Sequence, residues 1–200
     1  IKNAGLEVEK IIINSNLTEE EAFAAEASLI NAFNYVGDAG LTNIVAGHHS
    51  AEALSVDEYE RINGAAPLEE KDIRHKILVI KINRLYQRGM DEKVLYDAVR
   101  GVWRVSKEKV RTVEYVFGVY NSLIVAVYKP SEWFVCKEAK DRLPRQDIVL
   151  TPKTENRLFF VDERYEQGFP LDENESFYIG KSIAGLKLNQ SAQNPITYLY

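Results

Sequence analysis

The chain has 200 residues, of which 46% are apolar and 28% are charged, and its net charge at pH 7 is −5. The length fits one globular domain or two small ones, and the composition excludes a disordered chain and a fibre. The negative net charge argues against binding of nucleic acid over the whole surface. No apolar run reaches the ~18 residues of a membrane span, and we expect neither a secretory leader nor a membrane partner. The single cysteine, Cys136, excludes a disulfide framework, so we expect an inert thiol in a reducing, cytoplasmic compartment.

The first 64 residues are predicted to form a small α/β piece. The isoleucine-rich run at residues 8–13 predicts a buried strand. Thr18 followed three residues later by Glu21 is the pattern of a capping box. It predicts a helix over residues 19–34.

An acidic stretch separates this piece from the rest of the chain. It contains the helix breakers Gly64 and Pro67, and we predict a short helix at residues 56–62 before them. We therefore expect an acidic linker at residues 65–75 and a second domain at residues 76–200.

The second domain is predicted to be rich in β-strands. Asn121 and Ser122 separate two apolar runs as a two-residue hairpin turn would. Helical segments are expected at residues 91–99 and after Ser106, and an acidic loop at residues 162–175. Six short strands favour a small barrel, because closure removes exposed strand edges. The strand candidates are residues 76–82, 113–120, 123–128, 157–161, 177–183 and 196–200.

Glu26 falls among apolar residues on the predicted helix. A helical wheel places it on one face with Phe23, Ile30 and Phe33. A buried carboxylate is costly unless it has a basic partner, a hydrogen-bond network or a metal ion. The pattern alone favours an ordinary glutamate at the edge of the apolar stripe, and the alternative is a functional carboxylate in a cleft.

The segment around this glutamate resembles part of a nuclease family. The string LTEEEAFAAEASLI from Leu17, followed by GLTNIVAG at residues 40–47, is similar to the second half of a GIY-YIG endonuclease domain of the branch first described beside LEM domains. The resemblance implies that Glu26 binds a divalent metal, Mg²⁺ or Mn²⁺, and that Asn43 completes the catalytic site. A hard cation held by one or two carboxylates keeps positions for water and phosphate oxygens.

The family's two tyrosine motifs should precede this helix. Tyr35-Val-Gly37 follows the helix instead, and the similar strings at residues 118–120 and 178–180 lie about 60 residues apart rather than about ten. An upstream half before Ile1 would supply the tyrosine that helps to activate water. Without such a half, the nuclease part is degenerate.

Basic and aromatic residues are interleaved in the second domain. Basic side chains neutralise phosphates and aromatic rings stack on bases, so this pattern is typical of nucleic-acid binding. The plain alternative is that the tryptophans belong to the core and the basic residues form a solvated face. The candidate binding residues are Arg100, Trp103, Arg104, Lys107, Lys109, Arg111, Tyr120 and Trp133.

Residues 76–200 resemble a PUA-like barrel of the type found beside bacterial nuclease domains. The strings that carry the resemblance are VRGVWR at residues 99–104, VFGVYNSLIVAVYKPSEW at 116–133, YIGKSI at 178–183 and QNPITY at 193–198. The wider PUA, ASCH, EVE and SRA group binds RNA or modified DNA bases. The resemblance implies a cleft that receives a flipped base. Its lining residues would be Arg100, Trp103, Tyr120 and Trp133.

Together these resemblances predict an α+β protein in which residues 1–64 are part of a GIY-YIG-like domain and residues 76–200 a PUA-like barrel. We expect a nucleic-acid-processing protein resembling a metal-dependent DNA endonuclease, in restriction or defence, with DNA as its first partner and RNA as its second. The alternative is a non-catalytic protein that binds RNA or DNA beside a nuclease remnant. A protein-interaction module is a third interpretation.

Overall fold

The computed structural model describes residues 15–36, 54–145, 148–186, 188 and 195–200. The chain divides into two compact units, Ile1–Tyr59 and Glu60–Tyr200. The predicted α+β class is confirmed, because the described residues form a mixed sheet and several short helices. The strand predicted at residues 8–13 and the predicted site residue Asn43 lie outside the described residues.

Helix α1, Glu19–Val36, begins at the predicted capping box. The backbone N–H of Thr18 donates to Glu21 Oε2 at 2.8 Å, and the N–H of Glu21 donates to Thr18 Oγ1 at 3.3 Å. These bonds satisfy two donors that the first turn of a helix leaves free. The predicted short helix is also confirmed, as α2, Val56–Asn63.

The second unit is built on a parallel pair of strands. Strand β1, Ile77–Lys81, pairs in parallel with β2, Tyr115–Tyr120. Helices α3, Glu92–Arg100, and α4, Lys107–Val110, occupy the connection, as a parallel crossover requires. The side chains of Asp91 and Ser106 cap the two helices.

The predicted hairpin is confirmed. Strand β3, Leu123–Tyr128, runs antiparallel to β2. Asn121 and Ser122 at the turn have φ values of 44° and 68°, the positive values that two-residue hairpin turns use. Strand β6, Ile196–Leu199, pairs antiparallel with β1, which gives the sheet order β3-β2-β1-β6.

A second sheet has two strands, β4, Glu132–Val135, and β5, Leu158–Val161. We did not predict β4. Trp103 joins this sheet by a bridge to Leu158, with N–H to C=O distances of 2.8 and 3.0 Å in the two directions.

The loop at residues 162–175 and the strand at residues 177–183 were predicted wrongly. The segment forms two short helices, α5, Glu163–Glu166, and α6, Glu173–Tyr178. Asp172 and Glu175 make a reciprocal capping box, and these local bonds fix a helix where the apolar pattern indicated a strand.

Both faces of the four-stranded sheet are covered by apolar side chains. Residues 66–68, expected in the linker, pack here: Leu68 is 1% exposed, and its N–H donates to Ser182 O at 2.8 Å. One core includes Leu78, Ile80, Tyr96, Val99, Val116 and Phe160; the other includes Ile77, Val79, Phe117, Ile124, Tyr178 and Ile183. Across the residues that the structure describes, no helix is long and apolar enough to cross a membrane.

Candidate nucleic-acid-binding site

Glu26 is exposed on α1, which agrees with an ordinary glutamate at the edge of the apolar stripe and contradicts its placement inside that stripe. The buried face is centred on Ala27 and Ile30, which are 5% and 8% exposed, while Phe33 is 48% exposed. Glu26 and Phe33 lie at the margin of that face, because successive residues turn by 100° around a helix. The burial argument for a metal ion therefore does not apply. Within the described ranges, no cluster of three or more His, Cys, Asp and Glu side chains is placed to hold a metal.

Arg100 is part of a structural ion-pair network rather than of a phosphate-binding surface. Its Nε lies 2.7 Å from Asp97 Oδ1, its Nη1 lies 3.5 Å from Glu166 Oε1, and its guanidinium stacks over the ring of Tyr96 at 4.9 Å. The residue is 6% exposed. These carboxylates compensate the cost of burying the positive charge, so the guanidinium is not available for a ligand.

Tyr120 and Trp133 also belong to the packed interior. Tyr120 is 7% exposed, and its ring centroid lies 4.7 Å from that of Tyr86. Trp133 packs on Phe160 at 5.2 Å. Its buried Nε1 has no hydrogen-bond partner among the described residues. In the cavities formed by the described part of the chain, the four residues expected to line one cleft therefore do not occur together.

Trp103 does line a cavity, of about 330 Å³, which we call the Trp103 cavity. The indole Nε1 donates to Val99 O at 2.8 Å, and the backbone bridge to Leu158 holds the residue from the other side. Gly101 lies beside the ring, and a Cβ there would make an ordinary contact at 3.6 Å from Trp103 Cε2. Hydrogen bonds therefore hold Trp103 through both its indole N–H and its backbone.

Two arginines and one carboxylate also line the Trp103 cavity. Arg157 precedes β5, and its Nε donates to Lys153 O at 3.2 Å; Arg145 is exposed. Asp97 contributes a carboxylate whose Oδ1 contacts both Lys93 Nζ, at 3.1 Å, and Arg100. The rest of the lining consists of Gly101, the polar Thr154 and the apolar side chains of Leu85, Ala98, Val102, Ile148 and Val149.

The predicted basic segment follows Trp103 directly and faces solvent. Arg104, Lys107, Lys109 and Arg111 are all exposed, and Lys109 Nζ lies 5.3 Å from the ring centroid of Tyr198. Asp97 and Arg157 were missed from the sequence. Arg157 lies more than fifty residues from Trp103, and only the pairing of Trp103 with Leu158 brings the two together.

No protein-family model, curated protein or solved structure matches this chain. The volume of the Trp103 cavity lies at the lower end of the range for ligand pockets, roughly 300–1,000 Å³. An aromatic wall, two guanidinium groups and a carboxylate suit a flat heterocycle that carries hydrogen-bonding edges and a nearby phosphate.

Proposed function

We propose that the unit Glu60–Tyr200 is a nucleic-acid-binding module of the PUA-like type, and that the Trp103 cavity receives one base. The observation that carries this proposal is the hydrogen-bonded indole ring of Trp103 in a cavity shared with Arg145 and Arg157. Stacking of a base on an aromatic side chain contributes roughly 1–3 kcal/mol, and it does not require a particular sequence. The guanidinium groups bind the phosphates on either side of the base.

The exposed basic segment supplies the electrostatic part of this function. Arg104, Lys107 and Arg111 lie just after the cavity residue Trp103 along the chain. Each phosphate contact releases a counterion, so affinity falls as salt concentration rises. The net charge of −5 limits binding to such a local face and does not support binding over the whole surface.

The test is a titration of fluorescein-labelled 12-nucleotide single strands of DNA and RNA, followed by anisotropy at two salt concentrations. We expect Trp103→Ala to weaken binding about tenfold, since 1.4 kcal/mol corresponds to a factor of ten. Arg157→Ala should weaken binding and reduce the salt dependence. Tyr200→Ala is the matched control, because Tyr200 is 68% exposed and lies outside the cavity lining.

Unchanged affinity of a folded Trp103→Ala variant would refute base binding in this cavity. Equal losses for Trp103→Ala and Tyr200→Ala would point to non-specific stacking instead. Strands that carry 5-methylcytosine or N6-methyladenine would then show whether the cavity selects a modified base.

A second proposed function is metal-dependent cleavage of DNA, with Glu26 holding Mg²⁺ or Mn²⁺ and Asn43 completing the site, in a setting of restriction or defence. One observation favours it. In the described part of the chain, the exposed Glu26 carboxylate makes no ion pair and no hydrogen bond, so both oxygens are available to a hard cation.

Cleavage of supercoiled plasmid in MgCl₂ tests this function with the wild type, Glu26→Ala and Glu20→Ala. Glu20 is a matched control, since it is exposed in the first turn of the same helix. Loss of cleavage only in Glu26→Ala supports the metal role. Equal cleavage by all three proteins removes it.

A further inference from the structure

Arg104 and Arg157 lie opposite each other at the end of a short strand pairing. Trp103 and Leu158 form an antiparallel bridge and exchange two backbone hydrogen bonds, with N–H to C=O distances of 2.8 and 3.0 Å. One step forward along one side of an antiparallel pairing corresponds to one step back along the other. Arg104 is therefore the neighbour of Arg157 across the pairing. In a regular ladder, the pair that follows a hydrogen-bonded pair is the closer kind, with Cα atoms about 4.5 Å apart.

The packing of nearby residues shows which way the two arginine side chains extend. Val102 lies two residues before Arg104, and Phe159 lies two residues after Arg157. Both of these apolar side chains pack in one buried cluster, whereas the bridged pair packs in a different one. Side chains two residues apart in an extended chain lie on the same face. The side chains of Arg104 and Arg157 therefore leave the pairing on one common face.

Neither arginine has a carboxylate partner among the described residues. The Arg104 guanidinium forms no hydrogen bond or ion pair there, and that of Arg157 forms only the bond from Nε to Lys153 O at 3.2 Å. Asp97, the carboxylate that lines the Trp103 cavity, is already paired with two other cations. Like charges directly opposite each other destabilise a strand pairing. Two uncompensated positive charges therefore lie side by side, and a bound anion would remove their repulsion.

The charges and the free donors indicate the kind of anion. The Nη groups of Arg157 and all the guanidinium N–H groups of Arg104 remain for a ligand. A phosphate monoester carries about two negative charges at pH 7 and has three terminal oxygens. A phosphodiester inside a strand carries only about one charge. Two unpaired guanidinium groups therefore match the monoester. Arg157 also lines the Trp103 cavity, so a phosphate bound there adjoins the occupant of that cavity.

We propose that Arg104 and Arg157 bind the phosphate monoester of a nucleotide whose base occupies the Trp103 cavity. The ligand is then a phosphorylated strand end or a free nucleotide rather than the interior of a strand. This inference rests on the proposed base binding and names the ligand class of the same site. Guanidinium groups donate to phosphate oxygens through short, charge-assisted hydrogen bonds, which here come from one face of the pairing.

Competition against the fluorescein-labelled 12-nucleotide strand tests the ligand class with the full chain. The competitors are unlabelled six-nucleotide strands that end in hydroxyl groups, in a 5′-phosphate, in a 3′-phosphate or in the methyl ester of either phosphate. We expect one of the two terminal phosphates to strengthen binding about tenfold over the hydroxyl form. Its methyl ester, which carries about one charge less, should lose most of this gain.

Mononucleotides distinguish the two sources of the monoester. A 5′- or 3′-mononucleotide that competes as well as the phosphorylated strand identifies a free nucleotide as the ligand. Much weaker competition by the mononucleotide identifies a strand end.

Protein variants locate the phosphate. Arg104→Gln and Arg157→Gln should each reduce the tenfold preference for the terminal phosphate to about twofold. Arg111→Gln is the matched control, because Arg111 is another exposed arginine of the basic segment; it should weaken the binding of all strands alike and keep the preference. Without ligand at low salt, Arg104→Gln should raise the melting temperature by about 1 °C, since it removes a like-charge neighbour, and Arg111→Gln should not.

The outcomes separate this inference from the proposed function. If phosphate and hydroxyl ends compete equally while binding still depends on Trp103, the inference is overturned and base binding remains. If a folded Trp103→Ala variant binds as the wild type does and keeps the phosphate preference, base binding is refuted and only the arginine site survives. Full competition by the methyl esters, or an unchanged preference in Arg104→Gln, would also overturn the inference.

Discussion

Helix α3 meets the sheet at Gly118, which makes Gly118→Ala an informative substitution. A Cβ at this position would lie 2.5 Å from Val99 Cγ2 and 3.3 Å from Ala126 Cβ. Carbon atoms in good contact are about 3.5–4.0 Å apart, so the methyl group overlaps Val99 by roughly 1 Å. Val99 is 0% exposed and β-branched, and its side chain cannot turn away within the helix.

The expected cost follows from this overlap. Overpacking of a core by one methyl group lowers the free energy of unfolding by about 1–3 kcal/mol. Alanine also lowers the conformational entropy of the unfolded chain, which offsets about 0.4–1 kcal/mol of that loss. We therefore expect Gly118→Ala to lower the free energy of unfolding by about 1–2 kcal/mol. For a unit of this size the melting temperature should fall by about 3–8 °C.

Urea unfolding followed by tryptophan fluorescence measures this change, with Gly185→Ala as the control. A Cβ at Gly185 meets nothing within 4 Å, so its effect should stay within about 0.5 kcal/mol. A double-mutant cycle with Val99→Ala, which alone should cost about 2 kcal/mol, provides the decisive comparison. The double variant should be more stable than the sum of the single effects predicts, by about 1 kcal/mol or more.

Additive effects of Gly118→Ala and Val99→Ala would refute this account, because they would show that the new methyl group does not meet Val99. A neutral Gly118→Ala variant would do the same. Because α3 carries Asp97 and leads into Trp103, the same substitution should also weaken oligonucleotide binding if the Trp103 cavity is the site.

Three further predictions concern buried polar groups. Arg164→Ala leaves the Glu175 carboxylate, 3.0 Å away and 3% exposed, without its cation, so we expect a loss of about 1–2 kcal/mol and faster amide exchange at residues 168–171. Burial raises the pKa of the Asp162 carboxyl above 3.8, so the folded state binds the carboxyl proton more tightly than the unfolded state does. The stability that Asp162 contributes is therefore fully present below pH 3.8, and it is lost as the pH rises through the pKa of the folded state. In urea unfolding, the stability of the wild type relative to Asp162→Asn should thus increase between pH 7 and pH 4, and a constant difference would contradict the shift. Burial also raises the pKa of the Cys136 thiol, so a maleimide should label it only in denaturant, and rapid labelling of the native protein would show that it is accessible.

The site was harder to predict than the elements that carry it. The exposed basic segment after Trp103 is evident from composition, because charged side chains remain in water wherever the chain goes. The burial of Arg100 was not evident, since it depends on Asp97, one turn earlier, and on Glu166, which is distant in sequence. The position of Glu26 was missed for a related reason: a helical wheel shows which residues share a face and does not show which face is covered.

Local sequence determined the helix starts and the hairpin of this protein. The bonds of Thr18 with Glu21, the caps at Asp91 and Ser106, and the turn at Asn121 and Ser122 all join residues within a few positions of one another. Such bonds form with little loss of chain entropy, so their patterns can be read directly.

Tertiary structure decided which strands are neighbours and which side chains share a cavity. Strand β6 lies beside β1 although more than one hundred residues separate them. Arg157 lies near Trp103 only because Leu158, the first residue of β5, pairs with the backbone of Trp103. The same pairing places Arg104 opposite Arg157. These arrangements follow from the burial of apolar surface by the whole unit. Because the hydrophobic effect is nearly non-directional, it leaves no local pattern in the sequence that identifies the partners.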